Sequence, residues 1–171
     1  MIERRNLLLG LAATGLLAGC GGGGGRVNNL LEPRGMGGAP MPPGQGPNGL
    51  YPNETPELRR RINHWSAQYR VPVGLVHRVV IRESRHRPGA RNGPYYGLMQ
   101  ILPATARTMG YRGTPEGLLD ADANLQYGVK YLRGAWLVAQ GNPDKAVGWY
   151  ARGYYYEARR LGLLEETGLR A

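Results

Sequence analysis

Between residues 55 and 161 the apolar residues recur three and four positions apart, and no stretch alternates apolar with polar over the length of a strand. A chain offering only the helical period must bury its apolar faces helix against helix, so an all-α domain is expected. Thr55-Pro56-Glu57 supplies a capping hydroxyl, a proline at the first helical position and an early acid. Leu58, Ile62, Trp65 and Tyr69 share one face of the helix that follows. Val71-Pro72-Val73 breaks and restarts the chain. A second helix turns Leu75, Val76, Val79 and Val80 inward, and Glu83 continues the line of Leu75 and Val79 at its last turn. Residues 103–109 read as a short helix closed by Gly110, and residues 111–119 as a loop. Asp120 or Asp122 caps a longer helix to about residue 140, with Leu125, Val129, Leu132 and Trp136 inside. Helices at 144–152 and 154–161 finish the domain, and no internal repeat is present.

The N-terminal third has a different character. Residues 1–19 combine a charged start, including Arg4 and Arg5, with a short apolar run, the pattern of a secretory signal peptide. The run is too short to span a bilayer. Its end, Leu17-Ala18-Gly19-Cys20, resembles the lipobox of bacterial lipoproteins, which implies that Cys20 is lipidated and anchors the chain to a membrane. Arg4-Arg5 also resembles, weakly, a twin-arginine export signal. Cys20 is the single cysteine, so no intrachain disulfide can form. Residues 20–52 hold 11 Gly and 6 Pro, more than half of the segment, and are expected to be a disordered linker. The folded domain is then expected to occupy residues 53–171.

Charge narrows the partners. The formal net charge is +10, and residues 53–171 carry 18 basic and 10 acidic side chains. This balance suits an anionic partner such as cell-wall polymer or a membrane surface; equally, it is a solvated arginine-rich surface. Export argues against nucleic acid, and no nucleic-acid motif spacing is present. His64, His77 and His86 lack metal-ligand spacing and read as structural, so no metal and no cofactor is expected.

Glu83 is the residue with chemical potential. A carboxylate at the end of an apolar helix, facing a loop opened by Pro and Gly, is either a solvated helix-end residue or a general acid in a sugar-cleaving cleft. Glycosidases usually need two carboxylates. Glu57, Glu116, Asp120, Asp122 and Asp144 lie on the first helix or at loop and cap positions, so a single-acid mechanism fits better. Glu83 would then have to keep its proton near neutral pH, above the ordinary value of about 4.3. Arg82 is expected to point to another face, and Arg87, the arginine placed to ionise the acid, is expected not to pair with it.

Glu83-Ser84, followed by Gly97-Leu98-Met99-Gln100 and Pro103-Ala104-Thr105-Ala106, resembles the lytic transglycosylases of the soluble (SLT) type, which are lysozyme-like enzymes of peptidoglycan. The resemblance extends over roughly residues 56–162, through Asn124, Gly128, Tyr131, Leu132 and a segment centred on Tyr150. It implies a lysozyme-like helical fold and glycan strands of peptidoglycan as substrate. Cleavage would join the sugar's own C6 hydroxyl to C1, leaving a 1,6-anhydro end. Glu83 would be the catalytic acid and base. Ser84, Gly97, Gln100 and Tyr150 would contact substrate or flank the acid, and Tyr96 is a further candidate for stacking on sugar, with Tyr95, Tyr154, Tyr155 and Tyr156. One departure stands out: the family's Ala-Tyr-Asn-Ala-Gly reads Trp149-Tyr150-Ala151-Arg152-Gly153 here, with Ala151 in place of Asn. A hydrolytic muramidase of the same fold, or an inactive wall-binding lipoprotein, are the competing readings. A monomer is expected, held on the periplasmic side of a membrane (the outer one) through Cys20.

Overall fold

The computed structural model describes residues 49–170. The signal-like segment, Cys20 and the linker up to residue 48 lie outside the described residues. The domain is mostly helical, with α1 (Pro56–Gln68), α2 (Val73–Ser84), α3 (Pro103–Thr108), α4 (Ala121–Val138), α5 (Pro143–Arg152) and α6 (Tyr155–Leu161). A small hairpin of β1 (Arg91–Asn92) and β2 (Tyr95–Tyr96) lies between α2 and α3.

The helix starts follow from local chemistry. Thr55 Oγ1 accepts from Leu58 N, Asp120 Oδ1 from Ala123 N and Asn142 Oδ1 from Lys145 N, each satisfying a donor that the first turn leaves orphaned. Proline follows the cap in α1 and α5, where a missing N–H costs nothing. Asp120, rather than Asp122, is the cap of α4. Asp122 instead accepts from Trp65 Nε1 at 2.9 Å, fastening α1 to the first turn of α4.

α4 is the central element, packed by α1, α5, α3 and α6. The core contains every residue expected to face inward on α2 and α4, and Leu75, Val76, Val79, Val80, Leu125, Val129 and Leu132 are all buried. Each such side chain contributes about 1.5–3 kcal/mol when fully withdrawn from water. Small residues let the layers approach. A Cβ on Gly128 would lie 2.6 Å from Met99 Sδ, and one on Gly134 would lie 2.2 Å from the Tyr154 hydroxyl.

Three local features differ from the sequence expectation. Pro115–Leu119 forms a 3-10 helix capped by Thr114, in a stretch read as loop. Its five residues are too few to show a period. The hairpin between α2 and α3 is also too short for alternation to register: Arg91 pairs with Tyr96 and Asn92 with Tyr95, across Gly93-Pro94. Gly93 has φ +55, which the tight two-residue turn requires. Finally, packed structure begins before residue 53. Tyr51, on the linker side of the expected boundary, stacks on His86 with ring centroids 5.2 Å apart. Among the described residues, no helix is long and apolar enough to cross a membrane.

Candidate active site

Glu83 is the penultimate residue of α2 and retains 22% of its side-chain surface. Burial pushes its carboxyl above the ordinary range, and Arg82 opposes the shift. Arg82 Nε lies 3.6 Å from Glu83 Oε1, so the expectation that Arg82 faces elsewhere is corrected. Arg82 is 51% exposed, and an exposed partner is screened by water, which is why burial wins. Arg87 does not pair with Glu83, in agreement with the sequence reading. Its Nε donates to the Ser84 carbonyl at 3.0 Å, a main-chain acceptor freed by the end of the helix.

The other candidates divide into those that build the site and those left open. Ser84 is 1% exposed and its hydroxyl donates to the Val80 carbonyl one turn back, so it faces the helix rather than a groove. Gly97 was expected to admit substrate to the backbone. Its φ is +72, and a Cβ there would lie 2.2 Å from Asn124 Nδ2 and 2.4 Å from the Leu118 carbonyl. The close approach it permits is therefore to the protein itself. Tyr96 is 6% exposed, packed with Ile101, Ala106, Tyr111 and Leu118, and covered by Arg91, whose guanidinium carbon stands 4.6 Å from the ring centroid. It is a packing residue, not a free stacking platform.

Gln100 holds the loop. Its Nε2 donates to the carbonyls of Ala90 at 3.1 Å and Gly97 at 2.9 Å, at a residue whose own φ is +46. Both amide donor positions are thereby used, and the acceptor oxygen is what Gln100 retains for a ligand. Tyr150 is buried on α5 and donates its hydroxyl to the Met99 carbonyl at 2.8 Å. Burial raises its pKa well above the ordinary value, and the charge of Glu83, on the packed helix α2, adds to the shift. Ala151 is exposed and offers no polar atom in place of the family's Asn. Of the remaining tyrosines, Tyr154 is buried with its hydroxyl on the Tyr131 carbonyl, whereas Tyr95, Tyr155 and Tyr156 are exposed.

The organising residue is Asn124, which the resemblance included without giving it a role. It is fully buried in α4; its Oδ1 accepts from Met99 N, and its Nδ2 donates to the carbonyls of Tyr96 and Leu118 at 2.7–2.8 Å. A polar amide on the apolar face shared with Leu125, Gly128 and Val129 was the available signal.

A second polar cluster lies beside the end of α2. His77 Nδ1 and His86 Nε2 are 3.1 Å apart, and Glu54, His77 and His86 bring ligand-type atoms within 4.8 Å of one another. The sequence spacing gave no hint of this grouping. Both Glu54 oxygens accept from Arg59 at 2.6 Å, and Oε2 also accepts from Tyr51 N. With the two imidazoles bonded to each other, the cluster works as an internal hydrogen-bond network. Burial lowers both histidines, His77 to about 4, against the pull of Glu54.

Arginine occupies most of the other carboxylates: Glu54 with Arg59, Glu57 and Asp122 with Arg61, Asp144 with Arg78, and Glu157 with Arg160. Among the described residues, Arg82 is the one charged group that shifts Glu83, and no second carboxylate bears on it. The candidate site thus comprises a half-withdrawn acid whose carboxyl is raised by burial, a buried tyrosine on α5, and a loop fixed by amides. No solved structure matches the chain. The model of the transglycosylase SLT domain matches residues 60–162, well over half of the sequence and spanning Glu83, the loop and Tyr150, and the chain belongs to that lysozyme-like family.

Proposed function

We propose that the protein is a peptidoglycan lytic transglycosylase that cleaves the β-1,4 bond between N-acetylmuramic acid and N-acetylglucosamine, with Glu83 as its one acid and base. The observation that carries this reading is a carboxyl raised by burial with no carboxylate partner. A paired-carboxylate glycosidase needs a second acid to act as nucleophile or to activate water. Here the substrate supplies that function. Glu83 gives its proton to the glycosidic oxygen as the C1–O bond breaks. The C6 hydroxyl of the same muramic acid bonds to C1, and its proton passes to the Glu83 carboxylate. The acid is regenerated, no water is consumed, and the products are a 1,6-anhydro end and a free hydroxyl on the leaving sugar.

Gln100 is placed in this reading to accept from a sugar hydroxyl or an N-acetyl N–H through its unused oxygen. Exposed Tyr95, Tyr155 and Tyr156 are available to stack on sugar faces. Export, lipidation of Cys20 and a periplasmic position at a membrane, the outer one by preference, complete the proposal. They rest on the N-terminal pattern and on the location of the polymer.

Digestion of purified sacculi, with the products weighed, tests the reading. Anhydro products, lighter by one water than hydrolysed ends, support it. Hydrolysed ends would assign the chain to the muramidases instead. Sacculus binding without release would make it an inactive wall-binding protein, a reading that Ala151, in place of the family's Asn, would favour.

A further inference from the structure

Two consecutive non-glycine residues in the left-handed region follow the helix that carries Glu83: Arg85 at φ +54 and His86 at φ +58. L-residues persist in that region only where their surroundings over-determine them. Arg85 N caps α2 by bonding the carbonyls of Val80 and Ile81. The grip that forces the pair comes from upstream of α1. Asn53 Nδ2 donates to the Arg85 carbonyl at 3.0 Å. The His86 ring, 1% exposed, bonds His77 and stacks on Tyr51 at an interplanar angle of 9°. Tyr51 is itself fixed, since its N–H donates to Glu54, which Arg59 clamps while also reaching the Gly49 carbonyl. Tyr51, Asn53 and His86 lie outside the apolar cluster built by the helices, although His86 is itself fully buried. His86 also keeps a buried Nδ1 with no partner, a local cost retained three residues beyond Glu83. Residues 49–54, which supply Tyr51 and Asn53, lie before the matched family region, whereas His86 lies within it.

We propose that Tyr51, Asn53 and His86 form a clasp that positions Glu83 for proton transfer by fixing the left-handed turn that ends α2. The proposal rests on the reading of Glu83 as the acid. These are positioning residues: they touch the turn, not the substrate. Releasing the clasp lets the last turn of α2 fray and exposes the carboxyl.

The test uses the full-length chain carrying His86→Gly or Asn53→Ala. Glycine keeps the left-handed backbone without strain, so His86→Gly removes the buried ring without straining the turn itself, and Asn53→Ala, at an exposed hydrogen bond, tests the clasp without opening a cavity. The expected result is a kcat on sacculi lowered by between about 10- and 100-fold, with KM little changed. The basic limb of the kcat/KM profile should move to lower pH as Glu83 loses its shelter. Loss of activity that tracks loss of folded protein, with the pH profile unmoved, overturns the proposal. If the wild-type chain releases nothing from sacculi, the functional reading fails. The clasp is then judged by carbon-13 NMR titration of the Glu83 carboxyl: a lower midpoint in the variants sustains it, and an unchanged one overturns it.

Discussion

The Tyr150 hydroxyl donates to the Met99 carbonyl at 2.8 Å, so one buried oxygen on α5 holds the main chain of the loop that leads into α3. Tyr150→Phe leaves that carbonyl without a partner in a dry site, at a cost of about 1–3 kcal/mol. Urea unfolding should show the midpoint lowered and the slope unchanged. An unaltered midpoint would mean the hydroxyl is idle.

Asn124 and Gly97 are expected to act as one unit. Asn124→Ala removes three hydrogen bonds and strands two carbonyls and an N–H, for about 3 kcal/mol or more. Gly97→Ala drives a Cβ into Asn124 and the Leu118 carbonyl at a positive φ, so it also destabilises by several kcal/mol, roughly. Since both substitutions break the same contacts, the double variant should lose clearly less than the sum. Additive losses in a double-mutant cycle would separate the two.

Glu83→Gln should lower muropeptide release by about 10²- to 10⁴-fold, the usual worth of a general acid. Its effect on stability has the opposite sign. The native carboxyl titrates above its unfolded value, so ionising it on going from acid to neutral pH weakens the folded state. Gln removes that loss. The melting temperature of the variant should exceed that of wild type at neutral pH and converge with it below about pH 4, where both states are protonated. A variant less stable at neutral pH would show that the ionised carboxylate is well accommodated.

The histidine pair gives the reverse dependence. His77 titrates near 4 in the folded protein, against about 6.5 when unfolded, so the native state binds fewer protons in that window. Stability from the pair is complete above about pH 6.5 and is lost as the pH falls toward 4. His77→Gln should therefore flatten the decline in melting temperature over that range relative to wild type. Glu54 and Arg59, the charged groups facing His77 together with His86, stay in place in both proteins, so the difference reports the imidazole. Parallel curves for the two proteins would contradict the assignment.

The helices were legible because their signals are local. Thr55 and Asp120 are caps that act within three residues, and the apolar faces of α2 and α4 are set by spacing alone. The place of Glu83 at the end of α2 was legible for a related reason: it sits in line with Leu75 and Val79, which nothing but a helix would align. What escaped the sequence depends on contacts between distant segments. Gly97 reads as an opening for a ligand until Asn124 is seen against it, 27 residues further on. Ser84 and Tyr96 read as polar or aromatic groups free to meet sugar until their burial is known. His86 gave no sign of its role, because its partners Tyr51 and His77 come from a breaker-rich segment and from the far end of α2.

Asn124 grips only main-chain atoms: one N–H and two carbonyls, at Met99, Tyr96 and Leu118. The course of the polypeptide between the hairpin and α3 is thus inherited from a single amide rather than from the residues strung along it. The exposed side chains at the hairpin tip can be exchanged without rerouting the backbone, so variation there leaves the loop behind it in register.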